Sequence, residues 1–381
     1  MARERVGPVM RAVVAQMDVP GATWAVVSGP RQQLEVGAAG PLHRDTIFRI
    51  ASVTKPIIAV LTLALVDDGL FGLDDPVDPW VPELADRRVL RDRAGALDDT
   101  VPAARPTTVR DLLQMGLGLG WDMTTPETAP LPSAVARAEI PSAWQPPPLR
   151  PDRWAALVGE LPMAHQPGEG WLYQFSFDAL SVLIERVTRR RLDLVLRDRL
   201  LNRLDMHDTG YAVAMKDVDR VSSAWFPNRG GRFVEVAPWG DPRLMTVPPF
   251  RSGATGLLST ADDLALFVQM LLREGQGPRG RVLSASSFAA LTAADLPAPA
   301  EEMAREFLEP SVGWGLGVGV DLVGRFPGSH RGRFGWDGGT GTSLWVDPAA
   351  GVGGVLLTRQ GMGSPTPPAY LDAFWQAVHA P

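Results

Sequence analysis

The sequence predicts an α+β protein: an antiparallel sheet assembled from both chain ends, helices on its faces, and a mainly helical segment inserted between the two halves of the sheet. Three observations carry this. Near the N-terminus "TWAVVSG" and "QQLEVGAAG" are separated by a Gly-Pro turn and read as a hairpin. Near the C-terminus "GWGLGVGVDL", "RFGWDGG", "TSLWVDPAAG" and "GVGGVLLTR" are short, Gly-bounded and rich in Val, Leu and Trp, as strands are. Between these groups apolar residues recur at helical spacing. The sheet domain is therefore placed at residues 1–70 and 245–381 and the helical insertion at 71–244. A chain of 381 residues, 45% apolar and 21% charged, can bury a large core.

In chain order, a short amphipathic helix precedes the hairpin. Residues 52–70 read as a helix whose apolar positions, Ile57, Ile58, Val60, Leu61, Leu63, Leu65 and Val66, cover most of its circumference, the pattern of a buried helix. Pro56 fits only in a first turn, where no internal hydrogen bond is lost, so Ser52 falls at the helix N-terminus. "TTVRDLLQM" reads as a capped helix. Residues 126–167 hold ten prolines, too many for regular structure and, with their tryptophans, too aromatic for a free linker. They read as a surface excursion, either over a pocket or as a coat that touches no ligand. Helices resume in "FDALSVLIERVTRRRLDLVLRDRLLNRL" and in "STADDLALFVQMLLREG", the latter with a Ser or Thr cap before an acid. "PAYLDAFWQAVHA" is a final amphipathic helix.

The net charge of −6 and the absence of a sustained basic stripe exclude a nucleic-acid surface. "RVTRRRLDLVLRDR" reads as the solvated face of a helix. The chain has no cysteine, hence no disulfide and no thiolate chemistry. No segment has the form of a secretory leader or is apolar enough to span a bilayer, so no membrane partner and a cytoplasmic location are expected. The five histidines, His43, His165, His207, His330 and His379, lie far apart with no metal-binding spacing, and neither metal nor cofactor is expected. A G-x-S-x-G elbow is absent.

One pair of residues carries chemistry. Of the 37 basic residues only Lys55 and Lys216 are lysines, so arginine is the default cation of this chain. Arginine cannot lose its proton near neutrality, whereas a desolvated lysine can act as a base. Lys55 stands three residues after Ser52 at the mouth of the apolar helix, on the same helical face. A serine hydroxyl becomes nucleophilic when a neighbouring base takes its proton. Alone, Ser-x-x-Lys also describes many helix caps followed by a surface lysine; the buried helix and the scarcity of lysine favour the chemical reading.

Four ordered segments, "DTIFRIASVTKPIIAVLTLALVDDGLFGLDDPV", "PGEGWLYQFSFDALSVLIERV", "GATGLLSTADDLALF" and "FGWDGGTGTSLWVDP", resemble the signature regions of the serine β-lactamase and penicillin-binding-protein superfamily, in its class C and esterase branch. The likeness spans roughly residues 20–360 and implies a β-lactamase/D,D-peptidase-like fold. It implies that Ser52 is the acylated nucleophile, Lys55 its activating partner and Tyr173 a proton carrier. It also implies that the backbone N–H groups of Ser52 and Gly339 form an oxyanion hole. Trp336, Asp337 and Gly338 stand where β-lactam-specialised members carry Lys-Thr-Gly. Phe175 stands where many carry the asparagine of Tyr-x-Asn. Both departures remove groups that would grip a lactam or peptide. With the Tyr173, Asp178, Leu180 spacing they resemble family VIII carboxylesterases and related acyltransferases. Trp121, Trp144 and Trp154 either line the acyl pocket or pack in the core. The implied activity is hydrolysis of small to medium esters through an acyl-Ser52 intermediate. The rivals are an acyltransferase acting on a natural-product alcohol or amine, a β-lactamase or D,D-peptidase, and a silent binding protein, which would have lost Ser52, Lys55 or Tyr173. The expected partner is a small-molecule ester; the oligomeric state stays open.

Overall fold

The computed structural model describes residues 5–140 and 144–380. The start of the N-terminal stretch read as lacking a leader, residues 141–143 of the proline-rich stretch, and Pro381 lie outside them. The hairpin read from the N-terminal sequence is formed by β1 (Ala22–Ser28) and β2 (Gln33–Ala39), in register from Ala22 opposite Ala39 to Ser28 opposite Gln33. Five more strands come from the C-terminal part: β3 (Val312–Trp314), β4 (Gly319–Asp321), β5 (Phe334–Gly338), β6 (Thr342–Asp347) and β7 (Val352–Thr358). They form one seven-stranded antiparallel sheet in the order β3-β4-β5-β6-β7-β1-β2. β1 is an inner strand between β7 and β2, so the sheet closes only when the two chain ends meet. "GWGLGVGVDL", read as one strand, is two: the chain reverses between Trp314 and Gly319, with Gly317 at φ 89° in the left-handed region that glycine enters without strain.

Helices cover both faces of the sheet. Successive residues of a strand point to opposite sides. In β7 a Cβ on Gly353 would meet Val268 Cγ1 at 2.6 Å, and one on Gly354 would meet the Phe374 ring at 3.2 Å. The helix α4 (Ala261–Leu272) therefore packs on one face and α5 (Ala369–His379) on the other, where α1 (Val6–Val14) joins it. α4 is capped as its sequence predicts, the Thr260 hydroxyl accepting from Asp263 N at 3.2 Å. The buried helix α2 (Thr54–Asp67) follows a 3₁₀ turn, Ala51–Val53, and is fully enclosed from Thr54 to Leu65.

The proline-rich stretch departs from expectation. It contains two helices, Pro130–Arg137 and Pro151–Glu160, and in each a proline occupies the first position, where its fixed φ suits the helix and its missing N–H has no partner to lose. Pro130 and Pro151 thus start regular structure instead of preventing it. The basic segment after α3 (Phe175–Thr188) is also not one helix: Arg189 turns to φ 51° and a new helix begins at Leu192. Its arginines face carboxylates, Arg190 to Asp198 and Arg191 to Asp193. The region between α2 and α4 further includes two small hairpins, Arg88–Leu90 with Thr100–Pro102 and Ala224–Pro227 with Phe233–Ala237. Among the described residues no helix is long and apolar enough to cross a membrane.

Candidate active site

The chain reaches Ser52 from a two-residue strand, Phe48–Arg49, paired with Leu258–Ser259, and Ile50 N donates to Leu257 O at 3.0 Å. Ala51 then adopts φ 44°, a conformation that costs a residue with a side chain about 1–3 kcal/mol. That strained step turns the chain into the 3₁₀ start of α2 and leaves Ser52 at its N-terminus.

One turn on, Lys55 is fully buried. Its Nζ donates to Gln174 Oε1 at 2.7 Å and to Ala254 O at 2.8 Å, and lies 3.0 Å from Ser52 Oγ. Burial pushes the ammonium pKa well below the ordinary lysine value, and the anionic Asp178 pulls it part of the way back. Asp178, in the first turn of α3, accepts from Ser252 Oγ at 2.5 Å, and that hydroxyl in turn accepts from Ala254 N at 3.1 Å. Asp178 therefore also fixes the loop whose carbonyl meets Lys55. Lys216, the other lysine, is exposed in a 3₁₀ turn.

Tyr173 closes the third side. Its ring lies 4.3 Å from Lys55 Nζ, and Trp336 Nε1 donates to its hydroxyl at 2.6 Å. Burial raises the phenol pKa above its ordinary value, and hydrogen bonds with Ser52 and Trp336 oppose the rise. The ring stacks on Phe307 at 4.4 Å and on Trp171 at 5.7 Å. The next residue, Gln174, sits at φ 94° and ψ −67°, a second strained position. This conformation sends consecutive side chains to different places: Tyr173 and Gln174 to the Ser52–Lys55 pair, Phe175 away from it.

The turn after β5 is tied to the entry of Ser52. Thr340 Oγ1 donates to Arg49 O at 2.6 Å and Thr342 Oγ1 to Ile50 O at 2.9 Å. Gly339 lines the same cavity as Ser52, with Met362 N donating to its carbonyl at 2.8 Å. Gly338 is packed against the nucleophile's own segment: a Cβ there would lie 2.2 Å from Thr342 Oγ1 and 2.5 Å from Ile50 O.

The cavity over Ser52 measures about 340 Å³ and is rich in aromatic side chains, with Trp121, Trp144, Tyr173, Phe226, Phe307 and Trp336 in its wall. A polar corner holds Asp337, Glu309 and Arg325. Asp337 accepts from Ser343 Oγ at 2.5 Å and Trp345 Nε1 at 2.9 Å, and burial raises its pKa. Arg325 is paired with both Glu309 and Asp372. Three residues read as substrate-binding are not in this wall: Gly338, packed against Ile50 and Thr342, Trp154 and Phe175. Trp154 is core: it packs edge-on against Phe250 at 5.6 Å and donates to Ile140 O at 3.3 Å. Phe175 is buried and lines an adjoining chamber, not the cavity over Ser52.

Sequence reasoning missed Gln174 and Ala254 as partners of Lys55, and Phe226 and Phe307 in the wall. Nothing local marks them. Gln174 acts through an unusual backbone angle, Ala254 through a carbonyl that every residue has, and the two phenylalanines through long-range packing.

A profile of the family described as Beta-lactamase matches residues 9–374. Protein Rv1367c of Mycobacterium tuberculosis (strain ATCC 25618 / H37Rv) is 34% identical over 332 residues, covering 85% of this chain and 79% of that protein. Esterase EstB of Burkholderia gladioli is 29% identical over 364 residues, covering 89% and 84%. The fold matches the solved structure of EstCE1, described as a hydrolase with promiscuous acyltransferase activity, with a TM-score of 0.80 at 24% identity, covering 99% of this chain and 98% of that one. With the profile running through the Ser52 helix, Tyr173 and the Trp336 strand alike, the chain belongs to the beta-lactamase family.

Proposed function

We propose that this protein is a serine hydrolase of the carboxylesterase type, acting on small to medium uncharged esters through an acyl-Ser52 intermediate. The observation that carries the proposal is the set of contacts at Lys55 Nζ. A neutral amine has two N–H donors and one lone pair. Here two contacts are to oxygens that can only accept, Gln174 Oε1 and Ala254 O, and the third is the Ser52 hydroxyl. The neutral form therefore directs its lone pair at the proton of Ser52, and burial favours that form.

In the reaction so read, Ser52 Oγ bonds to the ester carbonyl carbon as its proton passes to Lys55. The oxyanion is held by the N–H groups of Ser52 and Gly339. Trp336 occupies one lone pair of the Tyr173 oxygen, leaving the phenol proton for the departing alkoxide, and Lys55 passes the proton taken from Ser52 to the Tyr173 oxygen as the C–O bond breaks. Water then adds to the acyl-enzyme, loses a proton by the same route, and releases the carboxylic acid and free Ser52. No cofactor enters these steps.

The aromatic wall supports uncharged substrates. Trp336 replaces a lysine that would hold a carboxylate, and the arginine in the wall, Arg325, is already paired. The similarity to Esterase EstB supports the same reading. A second reading, transfer of the acyl group to an alcohol, is favoured by the similarity to EstCE1 and by an apolar wall that suits an organic acceptor. Intact-mass spectrometry after exposure to a small fluorophosphonate and a panel of esters tests the proposal: one adduct on Ser52 is expected, and none sinks it. Added alcohol that yields a new ester in place of acid selects the transferase reading.

A further inference from the structure

Beside the cavity over Ser52 lies a second space of about 270 Å³. The two share a wall, Trp121 and Met123, which line both. Beyond it the surface is apolar and buried: Leu119, Leu131, Val135, Leu172 and Phe175 are all less than one-tenth exposed. The polar lining of this chamber is Arg93, which is ion-paired with Asp122 and Glu306, together with Thr125 and the exposed Glu127. Phe175, two residues from Tyr173 and fully buried, is part of its lining.

The wall is fixed at one end and adaptable at the other. A Cβ on Gly120 would lie 2.5 Å from Tyr173 O, so only glycine allows the loop this close, and Trp121 N donates to Tyr173 O at 2.9 Å. Asp122 accepts from Thr125 N at 2.9 Å and Thr125 Oγ1 at 2.6 Å, pinning the backbone beyond. Between these anchors the Met123 side chain is 49% exposed, unbranched and free to change rotamer. Alone, each space is at or below the lower end of the range for organic-ligand sites; joined, they reach roughly 600 Å³, well within it.

We propose that this chamber is a second substrate subsite that takes a linear alkyl tail of the ester, threaded past Met123 while the carbonyl stays at Ser52. The inference rests on the esterase reading above and extends it to a substrate class: esters with a medium-length, unbranched aliphatic arm. Each methylene buried in the chamber raises kcat/KM roughly fourfold.

The test varies chain length on each side of the ester in turn, with p-nitrophenyl alkanoates from acetate to octanoate and alkyl acetates from ethyl to octyl. The enzymes are wild type, Val135→Phe and Ala136→Phe. Val135→Phe fills the chamber from a buried position. Ala136, also in its lining, is exposed, so Ala136→Phe reaches the chamber without disturbing the core. In the wild type the octyl-to-short ratio of kcat/KM rises with length in one series. The filled variants lower that ratio at least about fifteenfold, the equivalent of two buried methylenes, and the affected series names the side of the ester that enters. A ratio unchanged by Ala136→Phe in both series overturns the chamber while a small fluorophosphonate still labels Ser52. Failure of that label overturns the esterase reading itself.

Discussion

Trp336 Nε1 donates to the Tyr173 hydroxyl over 2.6 Å, tying an uncharged indole to the phenol beside Ser52. The bond consumes a lone pair of the phenol and fixes where its proton points. Trp336→Phe keeps the ring and deletes the donor. The expected result is a fall of about tenfold in kcat, the worth of one neutral hydrogen bond, with KM for a short aryl ester little changed. A variant that loses through KM alone would show that the indole only packs.

Ser52→Ala removes the group that forms the covalent bond. It should lose at least about a thousandfold in kcat on a p-nitrophenyl ester while keeping the wild-type circular dichroism spectrum. Turnover near that of the wild type would remove Ser52 from the mechanism.

Lys55→Arg keeps hydrogen-bond donors at the site but makes the charge permanent and abolishes the base, because guanidinium stays protonated. No acyl adduct should be seen by mass spectrometry even after long exposure to an activated ester. An adduct formed at the wild-type rate contradicts the role given to Lys55.

The pH dependence follows from the same residue. Activity needs neutral Lys55, so kcat/KM rises with pH through the folded-state pKa, which burial holds well below 10.5. Asp178 is the charge that opposes this depression. Asp178→Asn should therefore move the rising limb to lower pH, and a shift to higher pH would be inconsistent with the electrostatics. Stability follows the same sign. Between the depressed folded pKa and 10.5 the unfolded chain binds the extra proton, so the unfolding free energy contributed by Lys55 increases with pH across that window.

β-Lactams probe the recognition that Trp336 replaces. A strained lactam carbonyl can acylate a well-placed serine, but its carboxylate lacks a charge-assisted partner here, a loss of about 1.5–3 kcal/mol, or one to two powers of ten. Nitrocefin should be turned over with a far lower kcat/KM than a short aryl ester. Equal efficiencies on one preparation would favour the lactamase reading.

The sheet-forming ends, the buried helix after Ser52 and the spacing of Ser52 and Lys55 are legible in the sequence, because each depends on local periodicity or on residues a fixed number of positions apart. The scarcity of lysine, a property of composition, marks Lys55 as chemical. Proline counting misleads over residues 126–167: a proline forbids a helix interior but favours a helix start, and only the fold shows which position it takes. Which aromatic residues face the substrate is settled by packing. Trp121 and Trp144 reach the cavity and Trp154 does not, although all three are tryptophans in similar loop-rich sequence. Packing also settles that Gln174, and not Phe175, meets Lys55, through a backbone angle that no side-chain pattern encodes. Secondary structure is written in neighbours along the chain, whereas the wall of a cavity is set by side chains that meet across it from segments far apart in sequence, and their meeting is fixed only when the whole core packs.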